Sequence, residues 1–206
     1  MCVLSKRWVD TWKSLPFLIF NRSSFSGEDT ERFIEFVYMV FMFRDHTNIQ
    51  KLSVPWEGAA SGDSVVVNVN RWILFAIKQD VQEITIRIGE SHVAAYEIPH
   101  RLLNCKSLRK LEIYMYGNGR YTDIILPKSM NLTQLKVLIL EGLSFSNVEL
   151  RKRLISSCPV LEILTAIDCD LQTDNHRESD VLNEQRILVL SGRKQENDGN
   201  GTCYDS

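Results

Sequence analysis

An α/β solenoid of short parallel strands and return helices is the fold class the sequence predicts, on three observations. The first is a recurring L-x-x-L-x-L phrase, cleanest at Leu108-x-x-Leu111-x-Ile113 and Leu135-x-x-Leu138-x-Leu140. The second is its spacing. Copies anchored at Ile49, Val81, Leu108, Leu135, Leu161 and Gln185 begin 32, 27, 27, 26 and 24 residues apart. The third is the content of the intervals, polar or helical runs punctuated by Pro99, Pro127 and Pro159. A strand, a return segment and another strand at this period is the unit of a leucine-rich repeat. One unit cannot bury its apolar side alone, so each demands a neighbour.

Taken in order, the chain opens with Leu4, Trp8, Trp12 and Leu15 at i, i+4, i+8 and i+11, one face of a helix that Pro16 stops at about Leu15. Residues 21–30 are polar and turn-rich. Residues 28–43 read as a helix whose Phe33, Phe36, Val37, Met39 and Val40 cover most of its circumference, as in a helix buried on more than one side. From Ile49 the repeats run Ile49/Leu52/Val54, Val81/Ile84/Ile86, Leu108/Leu111/Ile113, Leu135/Leu138/Leu140 and Leu161/Leu164/Ala166, with Gln185/Leu188/Leu190 as a degraded last copy. Residues 58–63 read as a surface loop and residues 70–79 as a return helix carrying Trp72, Phe75 and Ala76. Ser146-Asn147-Val148-Glu149 is a capping box opening a further helix through Leu154 and Ile155. Residues 191–206 hold no aliphatic side chain, the composition of a disordered tail.

Composition narrows the function. Hydrophobic residues make up 44% of the 206 and charged ones 24%, ordinary for a globular protein. A net charge of -2 supplies no general attraction to nucleic acid or an anionic membrane. Lys6, Arg7, Asp10 and Lys13 interrupt any signal-peptide core, and the apolar run at 36–43 is too short to span a bilayer. Cys2, Cys105, Cys158, Cys169 and Cys203 form no C-x-x-C pair and read as reduced thiols, which places the chain in the cytoplasm or nucleus. The sequons at Asn21, Asn131 and Asn200 then read as chance. His46, His92, His100 and His176 lie in unrelated segments, and no H-E-x-x-H, G-x-S-x-G or phosphate-binding glycine loop occurs. Asp168, Asp170, Asp174 and Glu178 lack the glycine of a calcium loop, and Arg151-Lys152-Arg153 is a solvated helix face. The expectation is a protein without catalysis, cofactor or metal.

In an L-x-L strand the named residues face the core and the alternating ones face the other way. Lys51, Ser53, Glu83, Thr85, Arg87, Lys110, Glu112, Tyr114, Val137, Ile139, Glu141, Ile163, Thr165 and Ile167 therefore line an exposed, concave sheet face, with Tyr116 extending the third strand beside Tyr114. Aromatic side chains set among charges and β-branched residues suit a protein–protein surface. The target-binding residues expected there are Arg87, Lys110, Glu112, Tyr114, Tyr116, Ile139 and Glu141.

The opening Val3-Leu4-Ser5-Lys6-Arg7-Trp8, followed by Trp12-Lys13-Ser14-Leu15-Pro16, resembles the C-terminal part of a plant F-box motif. Arg71-Trp72-Ile73, Cys105-Lys106-Ser107-Leu108 and Cys158-Pro159-Val160-Leu161-Glu162 are similar to phrases of the plant F-box/leucine-rich-repeat proteins, the F-box/FBD/LRR type. The resemblance implies the substrate-receptor subunit of an SCF-type cullin–RING ubiquitin ligase. The F-box would grip a Skp-type adaptor, with Leu4, Trp8, Trp12 and Leu15 in its core, and the repeats would hold the target. The chain departs from the pattern at both ends, since Met1 falls inside the F-box phrase and no FBD region follows the repeats. The expected organisation is an F-box remnant over 1–20, a linker and apolar helix over 21–48, irregular repeats over 49–190 and a tail over 191–206. The competing reading is a stand-alone repeat module that binds protein without recruiting a ligase.

Overall fold

A computed structural model of the chain describes residues 11–22, 30–56, 62–89, 95–116, 121–145, 147–171 and 187–191. Leu4, Trp8, Ser146, Gln185 and the tail 192–206 lie outside the described residues. A 3-10 turn (Thr11–Ser14) leads to β1 (Phe17–Ile19), α1 (Thr30–Phe43), β2 (Lys51–Trp56), α2 (Gly62–Ile77) and β3 (Glu83–Gly89). There follow β4 (Ala95–Glu97), a 3-10 turn (Leu102–Asn104), β5 (Lys110–Tyr116), β6 (Thr122–Ile125), β7 (Val137–Glu141) and β8 (Leu143–Phe145). The chain continues through α3 (Val148–Ser156), β9 (Ile163–Ile167), β10 (Asp170–Leu171) and β11 (Ile187–Ser191).

Every L-x-x-L-x-L copy forms a strand, because alternating aliphatic residues suit a pleated surface with one side buried. The strands pair in parallel in the order β1-β2-β3-β5-β7-β9-β11. Register is fixed by the repeat phase. Leu52, Ile84, Leu111, Leu138 and Leu164 stand opposite one another, as do Val54, Ile86, Ile113, Leu140 and Ala166. Just before the strands a backbone ladder carries the same phase through the turns, with Gln50 N donating to Pro16 O (2.8 Å), Glu83 N to Gln50 O (2.8 Å), Arg109 N to Gln82 O (2.7 Å), Lys136 N to Arg109 O (2.8 Å) and Glu162 N to Lys136 O (2.8 Å).

Five departures from the sequence reading have local causes. The helix α1 is buried along one stripe, Phe33, Val37 and Phe41, and not on more than one side, because it packs on α2 through Tyr38 and Phe41 against Phe75 while Phe36, Met39, Met42 and Phe43 stay exposed. The sheet begins at β1, ahead of Ile49, where the three residues after Pro16 are too few to show a period. α2 starts at Gly62, within the stretch read as loop, and its Val65, Val69, Trp72, Ile73 and Ala76 form one buried face. The β-branched run Val65–Val67 obscures that helical spacing. The helix α3 is capped by Asn147, whose Oδ1 accepts from Glu149 N at 2.7 Å, one residue after the expected Ser146. The middle repeats return through short strands, not helices, and β10-β8-β6-β4 form a second parallel sheet. Those two intervals carry Pro99 or Pro127 just after the short strand, where a proline favours a turn over a continued helix, whereas the equally long interval before Leu161 has no proline at that point and holds α3.

The core fills the space between the sheet and these return segments. At its N-terminal end it is aromatic. Trp72 of α2 stacks on Trp56 (centroids 6.1 Å apart, 29°) and meets Phe33 (6.1 Å), Tyr38 (6.2 Å) and Phe20 (6.4 Å). Tyr96, fully buried in β4, donates its hydroxyl to Asn70 Oδ1 of α2 at 2.9 Å, and burial pushes its phenol well up from the ordinary value. Beyond it the core is aliphatic, through Leu102, Leu103, Leu108, Leu132, Leu135 and Leu143.

One corner is set by a glycine. Gly142 (φ +69°) turns the chain from β7 to β8, accepting from Thr122 N at 3.0 Å and donating to Ile167 O and Asp168 O at 3.2 and 3.1 Å. A Cβ there would run into the carbonyl oxygen of Met115. Asp168 (φ 46°) occupies the matching corner after β9, a conformation that Asp tolerates better than most residues. Gly142→Ala is expected to lower the unfolding free energy by about 2 kcal/mol or more, from the left-handed penalty and the displaced strand, as read by urea denaturation.

Candidate protein-binding face

The side of the main sheet opposite the core carries the alternate residues in rows across the strands. The first row is Phe17, Lys51, Glu83, Lys110, Val137 and Ile163, and the second is Ile19, Ser53, Thr85, Glu112, Ile139 and Thr165. The third is Pro55, Arg87, Tyr114, Glu141 and Ile167, with Tyr116 beyond it opposite Gly89. Phe17 and Ile19, 58% and 64% exposed, belong to this face and escaped the sequence reading with β1.

The charges of the first two rows satisfy one another. Lys51 Nζ lies 3.9 Å from Glu83 Oε2, and Lys110 Nζ lies 2.9 Å from Glu112 Oε1. Thr85 Oγ1 donates to Glu112 Oε2 at 2.7 Å. Glu112 and Thr85 are thereby buried, which corrects their expected place on the exposed surface. Flanking strands in register wall them in, and both carboxylate oxygens of Glu112 are engaged. Burial alone would push the Glu112 carboxyl up, but hydrogen bonds from Lys110 and Thr85 outweigh it and hold the group below its ordinary value of 4.5. The hydrogen bond to Glu112 raises Lys110 above its ordinary value, against an opposing effect of burial.

The third row is open. The Arg87 guanidinium sits over the Tyr114 ring at 4.6 Å from its centroid, and the Tyr114 and Tyr116 rings stack at 6.3 Å and 19°. Arg87 and Tyr116 are exposed, while Tyr114, Ile139 and Glu141 are half-buried. The structure thus gathers all seven expected target-binding residues on one face. It divides them between a self-paired centre (Lys110, Glu112) with Ile139 beside Glu112 and an open ledge (Arg87, Tyr114, Tyr116, Glu141).

A family model for the repeats of these proteins, described as "FBD-associated F-box protein At5g56370, LRR repeats", matches residues 69–191. The chain belongs to this family of plant F-box/FBD/LRR-type proteins. In Arabidopsis thaliana it is similar to "FBD-associated F-box protein At1g66310", 32% identical over 178 residues, which cover 84% of this chain and 36% of that protein. It is also 34% identical over 165 residues to "Putative F-box/FBD/LRR-repeat protein At5g22670", covering 79% of this chain and 34% of the relative. "F-box/LRR-repeat protein At1g55660" is 27% identical over 163 residues, covering 79% and 43%. The chain spans only about a third to two-fifths of the length of the curated relatives it matches. No solved structure matches it.

Of the residues that the F-box resemblance singles out, Trp12 is half-buried in the 3-10 turn and Leu15 is 46% exposed, while Leu4 and Trp8 lie outside the described residues. The F-box/LRR chain is tied to its repeats at this point by Arg44, which follows α1 and is itself buried. Its guanidinium donates to Leu15 O (2.6 Å), Gln79 Oε1 (3.2 Å) and Thr47 O (3.4 Å), and Asp45 N donates to Lys13 O (3.1 Å). Burial pulls the Arg44 pKa below its ordinary value, with Asp45 opposing. No spacing in the sequence marks this residue. On the other side of the solenoid His100 Nε2 and Ser129 Oγ lie 3.0 Å apart, and Asn104 Nδ2 donates to the backbone oxygens of both residues. That arrangement braces two neighbouring turns.

Two outcomes follow. Glu112 has a depressed folded pKa, so its contribution to stability is complete above about pH 4.5 and is lost as pH falls through the folded value. Urea titrations from pH 6 to pH 3 should show a steeper acid loss in the wild type than in Glu112→Gln. Arg44→Ala should cost about 2 kcal/mol in urea denaturation, because it removes a buried guanidinium and the part-buried hydrogen bonds by which it joins three segments. Arg44→Lys should recover only part of it, since one ammonium cannot span acceptors on three separate residues.

Proposed function

We propose that the protein works by binding and not by catalysis, as a substrate-receptor subunit of an SCF-type ubiquitin ligase in the cytoplasm or nucleus. In this reading the open sheet face holds the protein to be modified, and the segment containing Leu4, Trp8, Trp12 and Leu15 engages a Skp-type adaptor. The observation that carries it is the ledge of Arg87, Tyr114 and Tyr116, an aromatic and cationic anchor beside lysines and glutamates that pair within the sheet. The names of the relatives, F-box proteins with leucine-rich repeats, support the adaptor half. Such a subunit does no chemistry and raises the effective concentration of its target near the ligase.

A second reading is a repeat module that binds protein without a ligase, which rests on the open face of the repeats alone. Isothermal titration of the 206-residue chain with a purified Skp-type adaptor separates the two. Binding that Trp8→Ala weakens tenfold or more is the outcome for a ligase receptor. A folded chain that gives no heat of binding with the adaptor leaves the repeat module.

A further inference from the structure

The open face does not present its charges uniformly. Lys51 with Glu83, and Lys110 with Glu112 and Thr85, cancel within the sheet and offer a partner no net charge. Among the described residues Arg87 and Glu141 form no ion pair. The Tyr114 ring engages the charge of the Arg87 guanidinium and leaves its N–H groups without acceptors among the described residues. Arg87 on β3 and Glu141 on β7 occupy the same row, with Tyr114 of β5 between them. Two strand spacings separate their backbones by about 10 Å. Beyond Glu141 the next strand, β9, presents Ile163 and Ile167, and Ile139 flanks Glu141 on β7 itself, so this end of the face is largely aliphatic.

We propose that this face takes a protein segment with an acidic and a basic side chain about 10 Å apart, followed on the basic side by aliphatic residues. The acid seats on Arg87, the base on Glu141, and the aliphatic residues cover Ile139, Ile163 and Ile167. The inference rests on the reading of this face as the target-binding surface and adds the order of charges that the target must carry. The rings and isoleucines supply contact area, and the two charges supply selection, since an exposed ion pair adds little affinity but a like-charge encounter is strongly disfavoured. A segment of reversed order would meet Arg87 with its base and Glu141 with its acid.

The test is a random dodecapeptide phage library panned on the full 206-residue chain and on the R87E/E141R double variant, with thermal melts confirming that both fold. The wild type should enrich peptides whose aliphatic residues lie beside the base and away from the acid. The double variant should enrich the reverse, and individual wild-type peptides should bind it at least tenfold more weakly. If the double variant fails to fold, the near-isosteric R87Q/E141Q pair takes its place and should erase the charge preference. The same charge order on wild type and variant overturns the inference. Panning on Tyr114→Ala separates it from the reading beneath it. Enrichment lost there, with charge order unchanged in the double variant, leaves the open face as the binding surface and removes only the charge rule. Peptides unaffected by any of these substitutions, or no enrichment on the wild type, overturn both.

Discussion

In-register parallel pairing is the constraint on which the remainder of this structure depends. Each strand contributes its aliphatic residues at the same phase, so Leu52, Ile84, Leu111, Leu138 and Leu164 meet in one row inside the core. A slip of one residue in any strand would turn that row outward and bring lysines and glutamates in. The backbone ladder from Pro16 to Glu162 fixes the phase before each strand begins. The rows on the open face are the other consequence of the same pairing. Arg87, Tyr114 and Glu141 adjoin because Ile86, Ile113 and Leu140 do.

The repeated strands were legible because one periodic signal, aliphatic at alternate positions every 24 to 32 residues, is written several times over. Facing directions followed from the same alternation, which is how Arg87, Tyr114 and Tyr116 could be named together. What the period does not encode was harder to read. β1 and the strands of the second sheet are too short to show alternation, and the start of α2 is hidden in a valine run. The burial of Glu112 arises from Lys110 on its own strand and Thr85 on the neighbouring one, a pairing visible only after the strands are aligned. Arg44 is a single residue between elements, and its role comes from acceptors on three residues that the chain brings to it from either side.

The open face joins two kinds of surface that solve different problems. Its centre is a lattice of lysine, glutamate and threonine that neutralises itself, so the sheet remains well solvated without attracting arbitrary polyions. Its ledge keeps one cation on an aromatic shelf, where the ring limits the positions the long side chain can take. Holding the side chain in place before a partner arrives reduces the ordering cost of binding, which is the common reason that arginine over tyrosine makes a good anchor. The N-terminal clamp at Arg44 keeps the 3-10 turn fixed relative to this face.

The packing is graded along the solenoid. The first repeat buries Ile49, Leu52 and Val54 completely beneath a block of tryptophan and phenylalanine, whereas Leu161, Leu164 and Ala166 keep 4%, 7% and 7% of their surface in water. A solenoid held by nearest-neighbour contacts opens from its weaker end. Amide protons of β9 are then expected to exchange with solvent before those of β2 and β3. The tryptophan block becomes the part of the chain that survives partial unfolding and the platform on which the later strands zip back into place.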